Sequence, residues 1–171
     1  AYAIEGIKVE KERLLNLSLA YESHPDNITP AVMGGFNVAS VHENEVKFIT
    51  KSIPRTLRAV VVVPNRPIST TLSRKTLPYK YSKEDTIFNI SHSSLLTAAF
   101  MSENWEMLKY ASADMVHQQF RMRHMPELFE VQKTALKNGA LMSTLSGSGS
   151  TFFSVAYSED SQKLELALKE K

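Results

Sequence analysis

The chain of 171 residues contains no cysteine, so it forms no disulfide, builds no zinc ribbon and carries no thiol nucleophile, a composition that fits a reducing compartment. No apolar run approaches the roughly eighteen residues that a membrane span needs, and the opening residues lack the basic-then-apolar order of a signal peptide. The five histidines are scattered. His117 and His124 have no companion pair at zinc spacing, which argues against a His- or Cys-type metal site. Glycine signatures are missing too. There is no Gly-Lys-Ser/Thr of a P-loop, no third glycine leading into a helix as in a dinucleotide fingerprint, and no Gly-x-Ser-x-Gly nucleophile elbow. Finally, acids are absent from one long segment: Val46 to Lys83 holds nine basic residues and not one Asp or Glu. Such a stretch can meet a small anion, follow a nucleic-acid backbone, or serve as a solvated face matched by acids elsewhere. It lacks the interleaved aromatics of a single-strand platform and any DNA-reading motif, which puts nucleic acid last.

What is present is ordinary globular composition, 43% hydrophobic and 22% charged, enough for one sizeable core or two small ones. The order of elements is α+β, with helices bunched between strands. Helical spacing of Leu14, Leu15, Leu17 and Leu19 predicts a helix before Tyr21, preceded by a turn at Gly6 and the tail of another helix. Gly35 to Ser40 and Glu45 to Ile53 read as strands. The β-branched run Ala59 to Val63 predicts a strand covered on both sides, stopped by Pro64-Asn65-Arg66-Pro67. Ser69 to Leu77 is a short helix candidate. Ser82 with Asp85 forms a capping-box pattern that opens a helix through about Met101. Further helices are expected over Trp105 to Gln119 and Pro126 to Lys137, the latter stopped by Asn138-Gly139. Ala140 to Leu145 and Thr151 to Tyr157 read as strands around Ser146-Gly147-Ser148-Gly149-Ser150, and Ser158 to Lys171 as an amphipathic helix with Leu164 and Leu168 inward.

The segment richest in chemistry is residues 22–35, Glu-Ser-His-Pro-Asp-Asn-Ile-Thr-Pro-Ala-Val-Met-Gly-Gly. His24 and Asn27 offer donors and acceptors, Asp26 a charge, and Pro25 and Pro30 stiffen the backbone beneath them. On its own the segment reads first as a capped turn, since Asp, Asn and Pro are the usual turn residues. Gly147-Ser148-Gly149 alone reads first as a tight strand connection. Arg74 and Arg121 each present a planar fork suited to a carboxylate or phosphate, and each alone reads as a surface arginine.

Taken together the segments say more. His24-Pro25-Asp26-Asn27-Ile28-Thr29-Pro30-Ala31-Val32-Met33-Gly34-Gly35, then Val63-Pro64-Asn65, Ser69-Thr70 and Arg74-Lys75-Thr76-Leu77-Pro78, closely resemble the homoserine kinases, a branch of the GHMP small-molecule kinases. Phe88-Asn89-Ile90-Ser91 with Leu95-Leu96 resembles that family's central helix. His117-Gln118-Gln119-Phe120-Arg121 resembles its His-Gln-Pro-Tyr-Arg segment, and Leu145 to Thr151 its third motif. The resemblance runs from the first residues to about Ser154, and the His24 to Asn27 tetrad separates it from mevalonate and galactose relatives.

The resemblance implies the end of a ribosomal-protein-S5-like N-terminal domain over residues 1–54 and a ferredoxin-like C-terminal domain over residues 55–171. It implies transfer of the ATP γ-phosphate to the side-chain hydroxyl of L-homoserine, a step toward threonine, in the cytoplasm and with Mg²⁺. L-homoserine and ATP would be the partners, with no nucleic acid and no membrane, and a homodimer is left open. His24 and Asn27 would line the homoserine pocket, Asn27 beside the reacting hydroxyl. Arg74 and Arg121 would hold the amino acid, and Ser146, Gly147, Ser148 and Gly149 would brace the phosphate end. An amide takes no proton at neutral pH, so catalysis with Asn27 would rest on positioning and charge stabilisation. Another GHMP kinase acting on a different small alcohol, or a non-catalytic piece, are the rival readings.

Three departures accompany the resemblance. The family's Gly-Leu-Gly-Ser-Ser nucleotide loop has no counterpart here, the chain starting as if within the helix that the loop opens, so these residues alone are expected not to turn over ATP. Ser150 replaces a proline of the third motif, which predicts a looser turn. Asn16 falls where the metal-binding glutamate is counted, which leaves the metal ligand unassigned, with Glu12 and Glu22 the nearby carboxylates.

Overall fold

A computed structural model describes residues 5, 6, 8–66, 73 and 75–169. The chain divides into two compact units, Ala1–Ile53 and Pro54–Lys171.

In the first unit, helix α1 (Lys11–Ser18) buries Leu15, and helix α2 (Pro25–Met33) buries Thr29. Strands β1 (Phe36–His42) and β2 (Glu45–Lys51) pair antiparallel, His42 opposite Glu45 and Phe36 opposite Lys51. The connecting residues Glu43 and Asn44 both take positive φ, 50° and 63°. That is the twist a two-residue hairpin needs, and Asn tolerates it well. Asn16 locks α1 to the hairpin: its side-chain carbonyl accepts the Val46 N–H at 2.9 Å.

The second unit is built on an antiparallel sheet in the order β3–β5–β4, made of β3 (Leu57–Val62), β4 (Ala140–Leu145) and β5 (Phe152–Tyr157). Helix α3 (Lys83–Ser102) opens where the capping box predicts, Ser82 Oγ accepting the Asp85 N–H at 2.9 Å. After it come a 3-10 turn (Trp105–Met107), the short helices α4 (Leu108–Ala111) and α5 (Gln118–Met122), and α6 (Glu127–Lys137); α7 (Ser161–Lys169) follows β5. Gly139, at φ +95°, ends α6 as the Asn-Gly pair predicts. The core gathers Met122, Met125, Leu128 and Val131 with Phe152, Ala156, Leu164 and Leu168, so α6 and α7 are held to the sheet by apolar burial.

Two expectations are corrected. The β-branched run does not form a strand covered on both sides. Among the described residues β3 is an edge of its sheet, with Val61 50% exposed. A run of valines satisfies either environment, because branching suits any pleated surface and does not report how many faces are covered. The single helix expected over Trp105 to Gln119 is broken after Ala111, because the Asp114 carboxylate takes the backbone N–H groups of Val116, His117 and Gln118 and starts a new helix there. The short helix expected over Ser69 to Leu77 lies largely outside the described residues, within which Ser73 and Lys75 are helical.

Candidate functional site

In the first unit His24 and Asn27 belong to the start of α2. His24 is its N-cap in extended geometry and Pro25 occupies the first turn, where its missing N–H breaks no helical bond. The His24 N–H is instead received by Glu22 Oε1 at 3.3 Å. His24 at the N-cap and Asn27 in the first turn are both exposed. Pro30 lies inside the helix, so it brings no N–H for the Asp26 carbonyl. The helix ends at Gly34, whose N–H returns to the Pro30 carbonyl at 2.9 Å. Gly35 then turns the chain into β1 at φ +69°, with the Lys51 carbonyl oxygen only 2.5 Å from where a Cβ would stand.

In the second unit the structure brings Arg121 to the glycine-rich loop. Its Nη1 donates to the Gly147 carbonyl at 2.8 Å. The loop between β4 and β5 closes on itself, Ser146 N–H to Thr151 O at 2.9 Å and Gly149 N–H to Ser146 O at 3.0 Å. It is also tied from outside. The buried Ser73 hydroxyl donates to the Ser148 carbonyl at 3.0 Å, and the Ser150 hydroxyl donates to the Arg66 carbonyl at 2.8 Å. Ser150 is therefore not a loosened proline position but a buried tether, and the expectation of a slacker turn is corrected. Arg74 lies outside the described residues.

Behind Arg121 stands a layer that motif reading passed over. The Asp114 side chain is buried and close to His117, whose Nε2 lies 3.9 Å from Asp114 Oδ1. Burial pushes the Asp114 carboxyl up, but the N–H groups of Gln118, His117 and Val116 and the charge of a protonated His117 outweigh it, so its pKa lies below the usual value. Burial works the other way on His117: together with the Arg121 charge it outweighs the pull of Asp114 and holds the imidazole pKa below its usual value. His117 Nδ1 is buried without a hydrogen-bond partner. Gln118 Oε1 accepts the Leu145 N–H at 3.1 Å, and Asn89 Oδ1 accepts the Met115 N–H at 2.8 Å. Asn89, Ser93, Asp114, His117, Gln118 and Thr144 line a cavity of ≈ 220 Å³. The signal that could have found Asp114 is local: an Asp a few residues ahead of a short polar helix start is a cap, and the apolar residues of Trp105 to Gln119 masked it.

The comparisons with known proteins converge on one family. Residues 93–171 match the family described as GHMP kinases C terminal. Over all 171 residues the chain is 81% identical to the homoserine kinase of Aliarcobacter butzleri, and 61% identical to that of a Nitratiruptor species. The chain is similar over its whole length to homoserine kinases and, over residues 93–171, to the C-terminal part of GHMP kinases. It spans 58% of the length of each of these two relatives. Among solved structures, the crystal structure of homoserine kinase from Cytophaga hutchinsonii superposes with a TM-score of 0.90 at 24% identity, covering 99% of this chain and 56% of that one. At that identity the likeness shows the fold, an α+β arrangement of helices on antiparallel sheets. Among the described residues no helix is long and apolar enough to cross a membrane.

Proposed function

We propose that the protein carrying this chain transfers the γ-phosphoryl group of ATP to the side-chain hydroxyl of L-homoserine, giving O-phospho-L-homoserine and ADP, in the cytoplasm and on the way to threonine. The observation that carries this reading is the 81% identity, sustained over every residue of the chain, with a homoserine kinase. In the proposal His24 and Asn27, at the start of α2, meet the amino acid, Asn27 orienting the hydroxyl without accepting its proton. Arg121 meets the carboxylate, with Arg74 as its second fork. Ser146, Gly147, Ser148 and Gly149 brace the phosphate end, a part that suits a loop fastened at both Ser148 and Ser150. The loose transition state of phosphoryl transfer leaves little covalent work for side chains, so placing the hydroxyl in line and meeting charge is sufficient chemistry.

Mg²⁺ enters the proposal as the companion of the triphosphate and not as a ligand of these residues. Among the described residues no group of three or more His, Asp or Glu gathers to hold a metal, and the Asn16 carbonyl is already engaged by the Val46 N–H. No step is routed through the ion.

The test uses the gene product at the full length of these relatives. ADP release is followed with L-homoserine, with mevalonate and with no acceptor, and ³¹P NMR identifies the product. Release with L-homoserine alone and a phosphomonoester signal of O-phosphohomoserine is the expected result. Release with mevalonate only, or none with L-homoserine, overturns the reading.

A further inference from the structure

Arg121 and the loop that begins at Ser146 reach the surface of the site, yet neither is placed by its own contacts alone. The route that places them can be followed bond by bond. Helix α5, which carries Arg121, is short, running Gln118–Met122, and helices of that length have no intrinsic stability in water. Its start is made by Asp114, whose Oδ2 accepts the N–H of His117 at 2.8 Å and of Gln118 at 2.6 Å, while Oδ1 takes that of Val116 at 3.3 Å. Those peptide groups are further fixed by Asn89 on the Met115 N–H and by Tyr81, whose hydroxyl donates to the Val116 carbonyl at 2.9 Å. From that start two arms reach the site. The His117 carbonyl accepts the Arg121 N–H at 3.0 Å, and Arg121 Nη1 reaches Gly147. The Gln118 side chain, buried, holds the Leu145 N–H at the end of β4, where the loop begins.

We propose that Asp114 is the positioning residue of this site: its carboxylate fixes the start of α5 and so sets, through Arg121 and Gln118, the geometry in which both the guanidinium and the glycine-rich loop meet substrate. Asp114 is not a catalytic residue, since its hydrogen bonds all go to peptide groups of its own segment. The inference rests on the proposed homoserine kinase activity for its kinetic test. An anchor of this kind acts on the fraction of molecules whose Arg121 is aligned, and apparent affinity falls by that fraction while the chemical step in the aligned molecules is unchanged. An amide of the same shape still offers an oxygen to the N–H groups, a hydroxyl offers a shorter reach, and a methyl offers nothing.

The experiment compares Asp114→Asn, Asp114→Ser and Asp114→Ala in the full-length gene product, measuring KM for L-homoserine, KM for ATP, kcat and melting temperature. The expected result is a graded rise in the homoserine KM, within about threefold for Asn and about five- to thirtyfold for Ala, with Ser between, a rise in the ATP KM in the same order, and kcat changed by less than about threefold. If Ala does not fold, the Asn and Ser pair carries the same ranking. In parallel, the backbone amide resonances of Gly147 and Gly149 are compared between wild type and Asp114→Ser, and they are expected to shift although Asp114 touches neither. A homoserine KM that stays flat across the series overturns the proposal, as does a kcat that falls in step with melting temperature. A wild type that ignores L-homoserine overturns the activity reading instead. The loop resonances then decide this inference on their own, and unmoved signals refute it.

Discussion

Gly35 gives the sharpest stability prediction, because its cost divides into two parts that a neighbouring glycine separates. Replacing Gly35 by Ala asks an L-residue to hold φ +69° and puts its Cβ 2.5 Å from the Lys51 carbonyl oxygen and 3.3 Å from the carbonyl carbon, both backbone atoms of β2. The first demand costs about 1–2 kcal/mol. The second cannot be relieved by a side-chain rotation, so the β1–β2 pairing must open locally, at about 1–3 kcal/mol by analogy with overpacking. Gly35→Ala is therefore expected to lose about 2–5 kcal/mol in total. Gly34 is the control. It holds φ +74° and ψ 178° with nothing within 4 Å of a built Cβ, so Gly34→Ala bears backbone strain alone, about 1–3 kcal/mol. Urea unfolding of both variants, with m compared against wild type, checks the difference. The reasoning fails if Gly35→Ala loses less than about 2 kcal/mol, no more than the backbone demand alone, because the contact with Lys51 would then have no energetic weight. Since Gly35 joins α2 to the hairpin, the same variant is expected to disturb the backbone beneath His24 and Asn27, read as amide shifts across residues 24–27.

Three further outcomes follow from the geometry. Gln118→Ala removes the buried acceptor of the Leu145 N–H and is expected to lower stability by about 1–3 kcal/mol, while hydrogen exchange at Leu145 speeds up in native-state measurements. Ser82→Ala strips the cap from α3 and is expected to cost about 1 kcal/mol, with faster exchange confined to the first turn of that helix. Stability should fall as the solution is acidified, in two stages. His117 has a folded pKa below its usual 6.5, so protons favour the unfolded chain once pH drops under that value, and Asp114, also lowered from 3.8, repeats the effect below its own usual value. His117→Gln is expected to flatten the upper stage and leave the lower one, as followed by urea midpoints across pH; an unchanged upper stage would show that other groups govern it.

Legibility from sequence divided according to how local the determining physics is. The capping box at Ser82, the strands β1 and β2, the stop at Asn138-Gly139 and the inward Leu164 and Leu168 of α7 are all written in nearest-neighbour chemistry, and the structure has each of them. Where a pattern fits two environments, sequence could not choose. Valines of β3 suit an edge as well as a covered strand, and the apolar residues from Trp105 onward suit one long helix as well as two short ones. The site shows the same division at higher resolution. Arg121 and the loop from Ser146 to Gly149 were marked as site residues by motif, but what holds them is Asp114 and the side chains of Gln118, Ser73 and Ser150, each making its decisive bond to a backbone group. A side chain that bonds backbone leaves no complementary residue type at its partner position, so no pairing of letters announces it. This also explains why Ser150 and Asn16, read as weakened versions of a proline and a glutamate, proved instead to be tethers: the hydroxyl and the amide oxygen supply hydrogen-bonding groups that a substitution table scores as losses, and the Arg66 carbonyl and the Val46 N–H use them. Departures of this sort from a family's motif are accordingly better judged by what the new polar atom can reach than by what the old residue did.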